Sequence, residues 1–462
     1  MSFVKNIFYE VSIYICAAVV VIAPCHQALG ETEAALPLQP DGPSQPEERN
    51  AISRAGFVRD STMTLLFRNY AEVLDIERTT KRIGWVQGMQ ARFESGMTEG
   101  PVGFGIDFAP FVALKLDGGE GSRNLVHLEP DGSGQNDKFW SYLGTYAFKA
   151  EFSNTLFKVG KEMIINPYLD PYDIRALPPS FRGTSFVNHS FSGLTLSGGS
   201  FNAVNARGAT QLQPLSTNYG GTAYDRLSYV GGDWKLPGDI ELSLYASQAK
   251  DVWNQYYVSA SHSFGSQHAI RWQVKADSYF TYDQGKKLQG AINNKAASLM
   301  LSAKYGASNL VFGYQRIFGD QFFDFAGETA GIYLVNSMGV DYNAPHEQSA
   351  QIRYKIDGTP IGAPGFQLSL WGVKAWGVEA ANEAKRNAAT DANLHGLYWK
   401  GGLPIAGGHA EHGVQAKYTL QQGLLKGMSF MYIYIGHRID PTYPSKNFEI
   451  NRVMINYPVL LF

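Results

Sequence analysis

Val453-Met454-Ile455-Asn456-Tyr457-Pro458-Val459-Leu460-Leu461-Phe462 reads as a terminal β-strand that closes on an aromatic residue. A soluble enzyme seldom ends on an exposed run this apolar, because no later segment can cover it. In a membrane barrel the same run has a place: the last strand pairs with the first, and its outward side chains lie in lipid. Backbone groups in lipid must all be hydrogen-bonded within the protein, so strands that cross it must close into a ring.

Segments upstream repeat the alternation. Ile240, Leu242, Leu244 and Ala246 alternate with Glu241, Ser243 and Tyr245, and Ile270, Trp272, Val274 and Ala276 with Arg271, Gln273, Lys275 and Asp277. Ile352, Tyr354 and Ile356 alternate with Gln351, Arg353 and Lys355, and Val414, Ala416 and Tyr418 with Gln415 and Lys417. Period two with one wet face marks half-buried strands. A soluble sandwich would turn its apolar face to a core. Here the polar faces carry Arg and Lys in strand after strand, and aromatics recur near strand ends, as in a barrel with a watery lumen and aromatic girdles. We expect an all-β transmembrane antiparallel barrel of about eighteen strands.

Composition agrees. Charged residues are only 17% of the chain while Gly (49), Tyr (26) and Phe (27) are plentiful, which suits lipid-facing strands joined by tight turns. The formal net charge of −2 argues against a nucleic-acid partner. Lys5, the apolar stretch Ile13 to Ala23 and the small residues Ala28-Leu29-Gly30 predict an export signal over 1–30, with an apolar stretch too short to span a membrane as a helix. Both cysteines, Cys16 and Cys25, lie inside it, so the exported chain has no disulfide, thiol catalysis or cysteine metal site. Residues 31–55, with Pro37, Pro40, Pro43 and Pro46, read as a flexible leader, and 56–462 as the barrel.

Connections alternate between short and long. Leu236-Pro237-Gly238-Asp239 and Gly306-Ala307-Ser308-Asn309 are tight turns, whereas long connections are expected over 116–137, 162–188, 203–224, 280–296, 318–332 and 378–411. The segment 162–188, with Pro167, Pro171, Pro178 and Pro179, reads as a stiff insert, and 378–395 as a mobile external loop.

Short motifs now make a family resemblance specific. Gly56-Phe57 with Leu65-Leu66-Phe67-Arg68-Asn69-Tyr70, Arg92-Phe93-Glu94-Ser95-Gly96, and Thr98 to Gly105 occur in order. They are followed by Asn166-Pro167, Phe181-Arg182-Gly183-Thr184-Ser185, Gln255-Tyr256-Tyr257, Gly319-Asp320, Arg353-Tyr354, Ala416-Lys417-Tyr418 and Tyr457-Pro458. Over nearly the whole exported length the chain resembles the OprD family of substrate-specific outer-membrane porins. The resemblance implies an eighteen-stranded barrel, monomeric or loosely trimeric, for uptake of small solutes that usually bear a carboxylate. It requires no cofactor, and it implies insertion by the outer-membrane assembly machinery through the strand ending at Phe462.

By strand parity Arg68, Lys149, Arg271, Arg353, Lys417 and Arg452 fall on polar faces, and together they could form the basic track that the resemblance implies. The plain alternative is a set of solvated lumen charges. Where relatives tend to carry Arg, this chain has Asp233, Asn254, Phe280, Trp371, Met431 and Ile433. Phe280, Trp371 and Met431 suggest an apolar lumen wall suited to an aromatic or other monocarboxylate, with neutral aromatic compounds as the alternative. The resemblance places Arg175 and Arg182 in the inward-folded loop and Asp320 and Asp324 in a second loop at the constriction. Ionic pinning of the loops is the alternative role. An outer-membrane hydrolase has little support, because Ser190, His189, His262 and His437 lack a nucleophile motif and a spaced acid. His409 and His412, three residues apart around Glu411, are too few ligands for a metal. Gly118-Gly119-Glu120-Gly121 lacks the strand–helix context of a phosphate loop.

Overall fold

The computed structural model describes residues 56–117, 138–266, 268–330, 332–387 and 392–462. The expected signal, the leader and the Gly118–Gly121 run lie outside the described residues, as does most of the 116–137 connection.

Eighteen strands form one closed antiparallel sheet. The first strand (Thr62–Ile76) pairs with the second (Arg82–Glu94) and with the last (Phe448–Leu460). That closure runs from Thr64 opposite Leu460 to Ile76 opposite Phe448, so no edge is left open to lipid. Every other barrel strand pairs with its chain neighbours.

Parity decides what each side chain faces. In the strand Arg271–Asp283, Asp277, Tyr279 and Thr281 are buried on the lumen side, whereas Val274, Ala276 and Tyr282 are exposed on the outside. Phe280 shares the parity of the second set. The apolar-lumen assignment of Phe280 is therefore corrected: it belongs to the outer girdle. Asn254 also faces outward, accepting a hydrogen bond from Gln248 Nε2 at 3.0 Å.

One rim carries short turns, such as Ser153-Asn154 and Pro237-Gly238-Asp239, in which Ser153, Asn154 and Asp239 take positive φ of 46°, 61° and 55°. The other rim carries the long connections, so the first is the periplasmic rim and the second the extracellular rim. The predicted loop bounds need correction, by one to three residues for 203–224 and 378–411, which run over 206–226 and 377–408, and by more for three others. The stiff insert occupies only 163–179, because residues from Ser180 onward form the strand Ser180–Phe191. The connection after Ile317 runs to 347 rather than 332, since the next strand begins at Gln348. The connection expected over 280–296 shrinks to 284–292. Within 377–408 lie two short helices, Ala381–Asn387 and Ala392–Tyr398.

The lumen is packed rather than open. One apolar cluster joins Tyr168 and Leu169 of the insert, and Phe323 and Leu334 of the 318–347 loop, to wall residues such as Phe201, Tyr257 and Tyr279. A second joins Ala176, Leu177, Met338 and Tyr342 to Trp371, Met431 and Met454. Burial on this scale replaces the core that a barrel wall cannot form by itself.

Candidate functional site: the constricted lumen

The insert 163–179 crosses the lumen from wall to wall. On one side Tyr168 Oη donates to the carbonyls of Tyr245 (2.9 Å) and Gln255 (3.1 Å), and Tyr279 Oη donates to the Pro167 carbonyl at 3.1 Å. In the middle Pro171 bridges to Thr329, and Tyr172 N donates to the Glu328 carbonyl at 3.2 Å. On the far side Arg68 grips Asp173 through two hydrogen bonds, and its Nη1 also donates to the Arg175 carbonyl at 2.8 Å. Gly88 permits this approach: a Cβ there would meet the Ala176 carbonyl at 2.7 Å.

All six predicted track cations project into the lumen by parity, but most are committed to acids. Arg68 is 1% exposed and holds Asp173. Arg452 Nε lies 2.6 Å from Glu72. Lys149 Nζ lies 2.6 Å from Asp107 and donates to the Ser95 carbonyl at 2.8 Å, and Arg271 reaches Asp239 at 2.8 Å. Lys417 stands opposite Met431 in register. Arg353 differs. It is 3% exposed, its only hydrogen bond among the described residues goes from Nη1 to Met338 Sδ at 3.5 Å, and its Nε has no partner.

Arg353 stands directly opposite Trp371 in the register of its strand pair. Trp371 lies against Gly413, where a Cβ would collide with the indole. Its Nε1 donates to Glu411 Oε1 at 2.5 Å. Glu411 also receives Gly339 N at 3.0 Å and Val340 N at 2.8 Å, which commits the carboxylate to holding the 318–347 loop. Met431 belongs to the same large apolar cluster but stands opposite Lys417, four residues along from the Gly413 that faces Trp371. Here the structure gathers a guanidinium, an indole and the Met338 thioether.

Three connections, 163–179, 206–226 and 318–347, meet in a ring of side chains inside the barrel. Arg175, on the insert, makes no hydrogen bond or ion pair through its guanidinium among the described residues; burial and the nearby Arg207 push it down to about 10. Arg207 stacks over the Tyr172 ring at 4.2 Å and pairs with Glu328 at 2.7 Å. Burial alone would raise the Glu328 carboxyl, but Arg207 holds it below the ordinary value. Tyr172, Arg207 and Glu328 carry no motif that distinguishes them in the sequence.

The remaining constriction candidates are elsewhere. Arg182 lies on the strand Ser180–Phe191, not in the insert; it is exposed on the face opposite Phe181, and its Nε donates to Asn202 at 3.0 Å. Its constriction role is corrected to the outer rim. Asp320 pairs with Arg386 at 2.6 Å and His346 at 2.8 Å, within the external connections. Asp324 accepts Tyr219 N, Gly220 N and Gln289 Nε2, each at 2.9 Å, and burial pushes its carboxyl up. Both acids pin loops, and the acid at the ring is Glu328. Ser190 Oγ donates to the Ser153 carbonyl and His189 meets Thr195, so these residues assemble no hydrolase triad.

The chain matches the outer membrane porins of the OprD family over residues 55–461. Porin D of Pseudomonas aeruginosa is 28% identical over 422 residues, covering 87% of this chain and 92% of that protein. The crystal structure of OccD3 (OpdP) from Pseudomonas aeruginosa aligns with a TM-score of 0.79 at 33% identity, covering 88% of this chain and 93% of its own. That of OpdK from the same organism with vanillate aligns at 0.75 with 26% identity, covering 88% and 100%.

Proposed function

The chain belongs to the OprD family of outer membrane porins, and from that premise we propose that it admits small organic acids, above all aromatic and other monocarboxylates, by diffusion through the constricted lumen. The observation that carries this is that two lumen guanidiniums, Arg175 at the ring and Arg353 beside Trp371, pair with no acid among the described residues. A carboxylate supplies the missing partner, and the apolar wall accepts the body of the solute. Several weak sites in series allow the solute to leave as readily as it enters. The vanillate in the OpdK structure is a solute of this chemistry.

In this reading 1–30 is an export signal, 31–55 a leader and 56–462 the barrel, inserted into a Gram-negative outer membrane through the strand that ends at Phe462. It works as a monomer or loose homotrimer without a cofactor. A second reading, passage of neutral aromatic compounds, draws on the commitment of Arg68, Lys149, Arg271 and Arg452 to acids.

Liposome uptake of benzoate, benzamide, a dicarboxylate and a basic amino acid separates these readings. Benzoate should enter fastest, and Arg175→Ala and Arg353→Met should each slow it roughly tenfold, the loss of one charge-assisted contact. Benzamide should barely respond, and added salt should shrink the difference. If benzamide outruns benzoate in the unmutated protein, the carboxylate reading is wrong and the neutral one stands.

A further inference from the structure

The outer wall carries cations that the passage of solutes does not use. Lys295, Arg316 and Lys374 are exposed on the outward face near the extracellular ends of the strands Asn293–Tyr305, Ser308–Ile317 and Phe366–Trp376. None forms an ion pair among the described residues; Arg316 lies over the Phe318 ring at 4.8 Å. By contrast Arg438, outward on the strand Ser429–Ile439, is neutralised by Glu449.

Register brings the three together. Arg316 stands opposite Ala297, two residues from Lys295 on the neighbouring strand. On its other side Arg316 stands opposite Gln348, and Gln348 opposite Trp376, two residues beyond Lys374. With strands about 4.8 Å apart and about 6.8 Å between same-face positions, the backbones of the outer two cations lie within about 12 Å of Arg316, and their long side chains can converge on one headgroup.

Two hollows in the wall adjoin this rim. A cleft of about 330 Å³ is lined by Lys295, Phe280 and Phe318. A groove of about 430 Å³ runs down the lipid-facing wall between Leu310, Ile352, Leu370 and Val414, with Gly372 in its floor. Gly372 is two residues below Lys374 on the same face, and a Cβ built there meets nothing closer than 4.0 Å. A basic rim above an apolar groove matches an anionic headgroup above an acyl chain. Cations turned toward hydrocarbon are costly unless their ends reach headgroup level, where anions are available.

We propose that Lys295, Arg316, Lys374 and the groove floored by Gly372 form a binding site for one phosphorylated lipid of the extracellular leaflet, phosphate on the cations and an acyl chain in the groove. The site is distinct from the lumen, and no residue of the pore is needed for it.

Native mass spectrometry of the purified full-length protein in detergent tests the site, with lipid A as the probe and phosphatidylcholine and inorganic phosphate as comparators. The protein should retain lipid A well above phosphatidylcholine, and excess inorganic phosphate should displace little of it. Lys295→Gln/Arg316→Gln/Lys374→Gln should weaken lipid A retention roughly a hundredfold, from three surface cations. The matching variant Lys295→Arg/Lys374→Arg should retain it. Gly372→Leu should also weaken lipid A, while benzoate uptake through all these variants stays unchanged and so reports an intact barrel. Equal retention of lipid A by the triple Gln variant, equal binding of phosphatidylcholine, or full displacement by inorganic phosphate would each overturn the proposal.

Discussion

Arg68 sits where strand parity puts it, on the lumen face, yet its charge is already matched. Asp173, Asn456 and the Arg175 carbonyl take its donors, and both members of the Arg68–Asp173 pair are essentially inaccessible. Removing one partner of a buried pair leaves an uncompensated charge, which costs about 3–5 kcal/mol, whereas replacing both by apolar groups costs far less. Arg68→Ala and Asp173→Ala should therefore each loosen the insert, lowering the temperature at which the folded band is lost on gels and raising conductance for all solutes alike. Arg68→Met/Asp173→Leu should be milder than either single change. Selective slowing of acids by Arg68→Ala, at normal conductance, would instead make Arg68 a solute contact. Parity made the direction of this side chain legible, but not its partner 105 residues away, because that pairing depends on how a loop crosses the lumen. Phe280 shows the converse: the alternation of its own strand pointed outward, and only the family resemblance suggested the lumen.

The connection 318–347 shows why elements inside the barrel are harder to read than the wall. Phe323, Leu334, Met338 and Tyr342 are as apolar as strand residues because they pack against the wall, so composition cannot tell a buried loop from a strand. The insert was legible from its prolines, but its end was not, since Ser180 resumes the wall only two residues after Pro178. The end of 318–347 is anchored by Glu347, whose Oε2 accepts Ala344 N at 2.8 Å and whose Oε1 lies 2.9 Å from His409 Nε2. Tyr342 stacks on the same imidazole at 4.4 Å. Burial pushes the Glu347 carboxyl from 4.5 up to about 8. Its folded value exceeds its unfolded one, so its contribution to stability is complete below about 4.5 and is lost as pH rises through about 8. Open-channel current noise should accordingly grow on the alkaline side of that value, and Glu347→Gln, which cannot ionise, should remain quiet there. Noise that is flat or falling with pH would exclude Glu347 as the anchor.

At the scale of the molecule, the eighteen-strand closed wall follows from alternation and from the need to satisfy every backbone group in lipid. The filling of its interior follows from tertiary packing that no local pattern announces. The pairing of the first strand with the last spans thirteen positions, as many as the pairing of the first strand with the second. Met63 N and Leu461 N extend it, donating to Phe462 O at 3.1 Å and Met63 O at 2.8 Å. A circle has no privileged starting point, and translation order should then be a historical accident of this gene rather than a condition of the shape. A circular permutant that joins 461 to 62 through a short linker and starts at Ala307 would end on Tyr305-Gly306, with the turn at 306–307 as its new gap. It should refold in detergent to the same conductance as the parent, and failure to do so would mean that the original termini do something beyond meeting each other.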